Sequence, residues 1–371
     1  MRPWILLLAL LLLAAAPLPE GRLSLDLQRH LTGSDNLCLA PHSLADALLM
    51  VGEGAEGATR QEFEALLGPL DGPAAQARNL RLPVVSATRL WVDKAFPILP
   101  SYQSFCQNNF GAQAGQVDFR QPAEAIDQIN AWAARQTEGK IDRLLNEDAV
   151  EANTVLVLTN ATTLKAKWEH PFNPASSQEA DFYPEGTPDK PVKVTLMSRT
   201  AAFPFLEESG LKVVEMPYQG DLSLIVALPE PGRIGQLQRD LTAQRLAGWM
   251  SRLKPQEEES VHVLFPRIEV RSDSVQLKSP LEKMGLKLAF SQRSDFSRLS
   301  PEGGQVYLSK VVQATVIRFD EAGTEAAAAT AAVANLRNGA ESQFRADRPF
   351  LFFLVHRPTD TVLFSGRVMK P

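Results

Sequence analysis

The sequence predicts an α+β protein with one large core. Short apolar runs typical of strands alternate along the chain with stretches of helical periodicity, so neither type is confined to one half. At 371 residues the chain is long enough for two or three domains, yet no linker rich in proline, glycine and serine divides it. We therefore expect one folded domain over residues 20–371, with strands at residues 154–159, 223–228, 261–265 and 350–356.

Residues 1–19 predict a signal peptide. Met1 and Arg2 form a short charged start, and residues 5–16 are an apolar run that ends in three alanines. This run is too short to span a membrane as a helix, and small residues at its end are typical of a cleavage site. Pro17 disfavours cleavage directly after the alanines, so the boundary at residue 19 is approximate. We expect an exported protein, secreted and extracellular or held in a periplasm, with no membrane association once the signal is removed.

Composition and motif content argue against several other classes of protein. The net charge of −5 is spread along the chain without the basic stripe of a nucleic-acid binder. The five histidines include no HExxH pair, and neither a G-x-S-x-G turn nor a glycine-rich phosphate loop occurs. A Ser-His-Asp triad leaves no local motif, so these patterns alone leave a hydrolase open. Cys38 and His42, four residues apart, are too few for a metal site, and we expect no cofactor.

The most informative segment is residues 320–333, with the sequence DEAGTEAAAATAAV. One interpretation is a surface helix, with Thr324 as its N-cap and Glu325 in its first turn. Every residue from Ala326 to Ala334 is small and uncharged, however, so this helix would have neither a large apolar face nor a polar one. A requirement other than helix packing therefore favours small side chains here.

This segment resembles the hinge and reactive loop of the serpins, the suicide inhibitors of serine and cysteine proteases. The family's hinge has an acidic residue, any residue, Gly-Thr-Glu, four alanines and a threonine. The matching residues are Glu321, Gly323, Thr324, Glu325, Ala326, Ala327, Ala328, Ala329 and Thr330. In the family the loop is cleaved and then inserts as a new strand in the centre of a large sheet. One face of that strand would carry only small uncharged side chains, those of Thr324, Ala326, Ala328, Thr330, Ala332 and Ala334.

Further motifs of the family follow in the family's order over nearly the whole chain. They include residues 36–43 (NLCLAPHS), Phe110-Gly111-Ala112, Val117-Asp118-Phe119, Ile129-Asn130-Ala131-Trp132, Asn160-Ala161 with Lys165 and Trp168, Pro217-Tyr218-x-Gly220, Asp295-Phe296-Ser297 and Phe364-x-Gly366-Arg367. Each fragment is weak alone, but their collinear order is specific. The resemblance implies the serpin fold, with a large central mixed sheet, two further sheets, eight or nine helices and an exposed reactive loop.

The resemblance also implies a site of protease attack. The family spacing from Glu321 puts the reactive bond between Arg337 and Asn338. An arginine there implies a trypsin-like target, since such enzymes hold a carboxylate at the bottom of the primary pocket. A slip of one residue would instead make Leu336 or Asn338 the scissile residue and change the target class.

The expected function is that of a suicide inhibitor of trypsin-like serine proteases, and not that of an enzyme. The partner would be the protease, held in a covalent complex by an otherwise monomeric inhibitor. The alternative is a non-inhibitory member that acts as a binding, carrier or chaperone-like protein. Such members often have bulky, charged or proline residues in the hinge, whereas this chain has only small uncharged residues from Ala326 to Ala334.

Several positions depart from the family pattern. The resemblance assigns Ser43, Asn160, Trp168 and Gln313 to the region of the sheet that opens for the loop. Ala40 stands where the family usually has serine and Gln313 where it often has histidine, so we expect a rewired hydrogen-bond network.

The chain is short between Leu70 and Val84, so the helix that the family has in this region is expected to be reduced. A reduced helix argues against a heparin-type site, which in some relatives uses basic residues of that helix. By the same alignment Cys38 starts one helix and Cys106 lies in another, and we expect two free, mostly buried thiols.

Overall fold

The computed structural model describes residues 19–70, 84–184, 186, 190–254, 260–324 and 342–371. These residues form eight α-helices and three β-sheets. The helices are α1 Pro19–His30, α2 Pro41–Glu53, α3 Gly57–Leu67, α4 Pro100–Phe110, α5 Pro122–Gln136, α6 Ile234–Asp240, α7 Ala243–Arg252 and α8 Lys278–Lys283. Among these described helices, none combines the length and the apolar composition that crossing a membrane requires.

The largest sheet has seven strands and is mixed. Its strands are β2 Val84–Asp93, β3 Gln113–Val117, β4 Leu156–Leu164, β5 Ala166–Lys167, β12 Ile268–Gln276, β13 Leu308–Phe319 and β14 Gly323–Thr324. The order is β3-β2-β4-β13-β14-β5, and β12 pairs with β13. The pairs β2–β3 and β4–β13 are parallel, whereas the others are antiparallel.

Two smaller sheets complete the structure. The six-stranded sheet has the order β1-β17-β16-β10-β9-β8, from β1 Leu37–Leu39, β8 Phe205–Glu208, β9 Leu211–Pro217, β10 Leu222–Pro229, β16 Phe350–His356 and β17 Thr361–Val368. The four-stranded sheet has the order β15-β11-β7-β6, from β6 Gln178–Phe182, β7 Val192–Ala201, β11 Val261–Pro266 and β15 Ser342–Arg345. The expected architecture, one large mixed sheet with two others and eight or nine helices, is confirmed.

The central strands are buried along their whole length. All nine residues of β4 are buried, in agreement with the continuous apolar and small run that a strand covered on both faces requires. One face of β4 is covered by α5, whose residues Ile126, Ile129 and Trp132 are buried at helical spacing. Trp132 meets Trp91 of β2 edge to face, with ring centroids 5.6 Å apart. The other face is covered by α2, an almost wholly buried helix.

The two central strands of the large sheet pair directly with each other. β4 and β13 run parallel, with Leu156 opposite Leu308, Asn160 opposite Gln313 and Thr163 opposite Val316. An additional strand between them would therefore have to break this ladder of hydrogen bonds before forming its own.

Candidate functional site

The described part of the hinge lies at the end of β13. Glu321, Gly323 and Thr324 are described, whereas Glu325, Ala326 to Ala329, Thr330, Arg337 and Asn338 lie outside the described residues, as does the remainder of the expected exposed loop. Asp320 closes a tight turn after β13, because its carboxylate accepts hydrogen bonds from the backbone N–H groups of Ala322 (2.9 Å) and Gly323 (3.2 Å). The chain then reverses direction and enters β14.

Strand β14 lies between β13 and β5 and is antiparallel to both. Thr324 is opposite Phe319 of β13 on one side and Ala166 of β5 on the other. Thr324 is thus a strand residue in the large sheet, and the interpretation of Thr324 as the N-cap of a surface helix is wrong. The neighbouring strands offer the backbone of Thr324 hydrogen-bond partners on both sides. The stability gained from this strand pairing outweighs the local preference for a helix.

Gly323 fits this position because it has no side chain. Its φ of 152° is one that other residues rarely adopt. A Cβ atom at this position would collide with the carbonyl oxygen of Ala166 and the Cα atom of Lys167. The close approach of β14 to β5 therefore depends on glycine.

Thr324 is buried in an aromatic cluster. Its side chain is 0% exposed, and its hydroxyl lies 2.7 Å from that of Tyr218. Tyr218 stacks on Trp168 with ring centroids 4.1 Å apart, and the Trp168 indole N–H donates to the Asp320 carbonyl at 2.8 Å. Burial raises the pKa of Tyr218 well above its ordinary value, so the phenol remains a neutral hydrogen-bonding partner.

Glu321 fixes the start of the hinge through charged hydrogen bonds. The carboxylate accepts from the Ser177 hydroxyl at 2.6 Å and from Arg267 Nε at 3.0 Å, and Arg267 Nη2 donates to it as well. Burial alone would raise the pKa of Glu321, but these hydrogen bonds outweigh it and the pKa lies below its ordinary value. The side chain of Glu321 is only 12% exposed, while that of Arg267 is 42% exposed.

A second polar cluster joins β4 to β13 further along the sheet. Gln313 Nε2 donates to Asn160 Oδ1 at 2.7 Å and to the carbonyl of Ala40 at 3.1 Å. Gln313 Oε1 accepts from the backbone N–H of Ala40 at 3.0 Å. Asn160 Nδ2 in turn donates to Ser43 Oγ at 2.6 Å and to Thr88 Oγ1 at 2.8 Å. The Gln313 side chain thus bonds both backbone polar groups of Ala40, and the predicted difference from the family's network stays a prediction.

The four residues predicted for the opening region divide into two places. Ser43, Asn160 and Gln313 share one network between α2, β4 and β13. Trp168 lies instead in the aromatic cluster around Thr324. Sequence reasoning did not assign roles to Tyr218, Arg267 and Ser177, although Tyr218 belongs to one of the motifs quoted above.

Both cysteines are free and fully buried. Burial raises the pKa of the Cys38 thiol to about 12 and that of Cys106 to about 11. Cys38 lies on β1, not at the start of a helix, because α2 begins only at Pro41. Within the described ranges, no three histidine, cysteine, aspartate or glutamate side chains cluster so that they could hold a metal ion.

Comparison with known proteins identifies the family. The family model described as "Serpin (serine protease inhibitor)" matches residues 20–371. The chain belongs to the serpin family. The family model and the relatives that the chain resembles are named as protease inhibitors and not as enzymes, so a hydrolase is excluded.

Relatives and solved structures agree with this assignment. Leukocyte elastase inhibitor of Bos taurus is 33% identical over 354 residues, which cover 91% of this serpin and 93% of the relative. The structure of human thyroxine-binding globulin with its ligand has a TM-score of 0.85 at 24% identity, covering 95% of this serpin and 97% of that chain. Native protease nexin-1 with heparin has a TM-score of 0.84 at 26% identity, covering 95% and 99%. The named target of the bovine relative is elastase, so this relative supports protease inhibition but not the trypsin-like specificity.

Proposed function

We propose that this serpin is a suicide inhibitor of trypsin-like serine proteases and that its reactive bond joins Arg337 to Asn338. The observation that carries the proposal is the position of β14, which lies between β5 and β13 and is antiparallel to both. β5 follows β4 after one residue, so a longer β14 would run between β4 and β13. The residues that would lengthen it, from Glu325 onward, are the alanine-rich stretch of the sequence.

Packing explains why that stretch has small side chains. Both faces of β4 and β13 are covered, by α2 on one side and α5 on the other, and the interior is close-packed. In an inserted strand, Ala326, Ala328 and Thr330 would share the face of Thr324, so none of them adds a bulky or charged group to the core. The new strand would gain antiparallel hydrogen bonds on both edges in exchange for one parallel ladder.

Inhibition then follows from a race between two steps. The protease nucleophile attacks the carbonyl carbon of Arg337, the peptide bond to Asn338 breaks, and the new amine of Asn338 takes the proton. The cleaved loop inserts and carries the acylated protease with it, which distorts the catalytic groups before water hydrolyses the ester. A displacement of about 1 Å in a catalytic site costs on the order of a hundredfold in rate, so distortion preserves the ester.

The proposal includes export and a specific target class. The charged start and the apolar run of residues 5–16 support a signal peptide of about 19 residues. Arg337 supports a trypsin-like target. A protease with a charged, hydrogen-bonding primary pocket selects an arginine over other residues far more strongly than an apolar pocket selects among apolar residues.

The decisive experiment incubates the protein with an equal molarity of trypsin and, in parallel, with leukocyte elastase. We expect a trypsin complex that survives denaturation and a released peptide that starts at Asn338, as identified by mass spectrometry. Arg337→Gln should abolish this complex, whereas Arg293→Gln, an exposed arginine on another loop, should leave it unchanged.

Other results would contradict the proposal in distinct ways. A complex with elastase alone, or a peptide that starts at another residue, would refute the target class and the reactive bond. Cleavage at Arg337 without a complex, with no rise in unfolding temperature of the cleaved protein, would instead indicate the non-inhibitory binding protein.

A further inference from the structure

A cavity of about 860 Å³ lies away from the hinge, beside β2. Its walls come from α2, from β2, from the end of α4 and from the last turn of α5. This volume is within the range of small-molecule binding sites. The family match and the proposed reactive loop leave the cavity without a role.

Two arginines on the cavity wall have no acidic partner among the described residues. Arg89 Nε is buried, and within the described part of the chain it has no hydrogen-bond partner. The Arg89 guanidinium carbon lies 4.4 Å from the ring centroid of Trp91. Arg135 is exposed on the last turn of α5 and lines the same cavity. Burial and, next, the positive charge of Arg135 lower the pKa of Arg89, because both disfavour the charged guanidinium.

The backbone makes room for this guanidinium. Gly115 of β3 is opposite Trp91 of β2, and a Cβ atom at position 115 would collide with Arg89 Nη2 and Nε. The absence of a side chain at Gly115 therefore leaves the space that the Arg89 guanidinium occupies. A partly buried cation held in this way is costly unless an anion compensates it.

The acidic side chains on the wall have other contacts. Glu53 accepts two hydrogen bonds from Arg60, at 3.1 and 3.2 Å, and lies 3.4 Å from Arg298. Asp46 Oδ2 lies 3.7 Å from His42 Nε2. Neither carboxylate forms an ion pair with Arg89 or Arg135, so among the described wall residues these two arginines have no carboxylate partner.

Part of the remaining wall is apolar, among polar side chains such as Thr88, Asn108 and Gln113. Leu49, Met50, Phe105, Phe110 and Trp132 all line it. An arginine fork binds a carboxylate through paired charged hydrogen bonds, and aromatic and aliphatic walls take up an apolar body. We propose that this cavity binds a small organic carboxylate with an apolar body, with its carboxylate held between Arg89 and Arg135.

The test is calorimetric titration of the whole protein with octanoate and with octanamide, a neutral molecule of the same chain length. We expect octanoate to bind one to one and octanamide to bind at least about tenfold more weakly. Arg89→Gln and Arg135→Gln should each weaken octanoate binding at least about fivefold. The matched control is Arg143→Gln, which removes another exposed charge, away from the cavity, and should leave the affinity unchanged.

Arg135 is exposed, so its variant tests the proposal even if Arg89→Gln fails to fold. Equal affinity for octanoate and octanamide, equal losses in Arg135→Gln and Arg143→Gln, or no binding at millimolar octanoate would each overturn the proposal. The measurement involves no protease, so its outcome is independent of whether the protein inhibits one.

Discussion

Gln313 and Asn160 are opposite each other on β13 and β4, and the glutamine Nε2 donates a 2.7 Å hydrogen bond to the asparagine Oδ1. Both side chains are 0% exposed. Two polar side chains therefore hold together the two strands that an inserted loop would have to separate. Gln313 also bonds both backbone polar groups of Ala40, so one side chain satisfies three buried partners.

Replacing this glutamine should destabilise the native sheet. Gln313→Ala would leave the Ala40 backbone groups and Asn160 Oδ1 buried without this partner, and we expect a loss of about 3 kcal/mol in the free energy of unfolding. Urea unfolding followed by fluorescence measures this loss. The control is Gln305→Ala, because Gln305 is an exposed glutamine that should change stability by less than about 0.5 kcal/mol. Equal effects of the two substitutions would contradict the role assigned to Gln313.

The ion pair of Glu321 with Arg267 should make stability depend on pH. The folded-state pKa of Glu321 is lowered, so its contribution is fully present above the ordinary glutamate pKa and is lost as pH falls through the lower folded value. Glu321→Gln should therefore cost about 1 kcal/mol near pH 7, a modest amount because Arg267 is partly exposed.

Unfolding curves of wild type and variant from pH 7 down to pH 3 test this linkage. The difference between them should shrink below pH 4.5, the ordinary glutamate value. Glu302→Gln, at an exposed position, should show no such pH dependence. A difference that stays constant with pH would mean that the ion pair does not act through its charge.

Gly323→Ala should weaken the attachment of β14 to β5. A Cβ atom there would collide with the Ala166 carbonyl oxygen, and the φ of 152° is unfavourable for alanine, so we expect a loss of about 1–3 kcal/mol. Gly304→Ala is the matched control, because a Cβ atom at 304 meets nothing within 4 Å. Thermal unfolding of the two variants compares them directly. A Gly323 variant as stable as the Gly304 variant would show that the close approach of β14 to β5 is not required.

Thr324→Arg should separate cleavage from trapping, if the proposed function is correct. Thr324 is fully buried beside Tyr218, so an arginine would have to place an uncompensated charge in the core before the rest of the loop could insert. We expect trypsin still to cleave after Arg337 while the covalent complex disappears from the denaturing gel. Thr324→Ser keeps a hydroxyl at this position and should retain the complex. Normal complex formation by the arginine variant would refute strand insertion.

Much of the framework was accessible from the sequence. The runs predicted as strands at 261–265 and 350–356 correspond to Val261–Pro266 and Phe350–His356, because buried strands carry continuous apolar residues. The run at 154–159 marks β4 only in part, since the strand continues through polar Asn160 and Thr162 to Leu164. Polar residues in a buried strand look like a strand end until their hydrogen-bond partners on other segments are known.

The alanine-rich sequence after Thr324 and the collinear motifs identified the family by themselves, because those residue types are required at those spacings. Whether Thr324 starts a helix or lies in a strand was decided only by the tertiary structure. Local rules favour the helix, but Ala166, Phe319 and Tyr218, all distant in sequence, supply the partners of Thr324 in the sheet. The same reason applies to Arg267 beside Glu321 and to the two arginines of the cavity. The charges around a side chain come from residues that are tens of positions away in the sequence and become neighbours only in the folded sheets. The distances between such side chains cannot be derived from the sequence pattern alone.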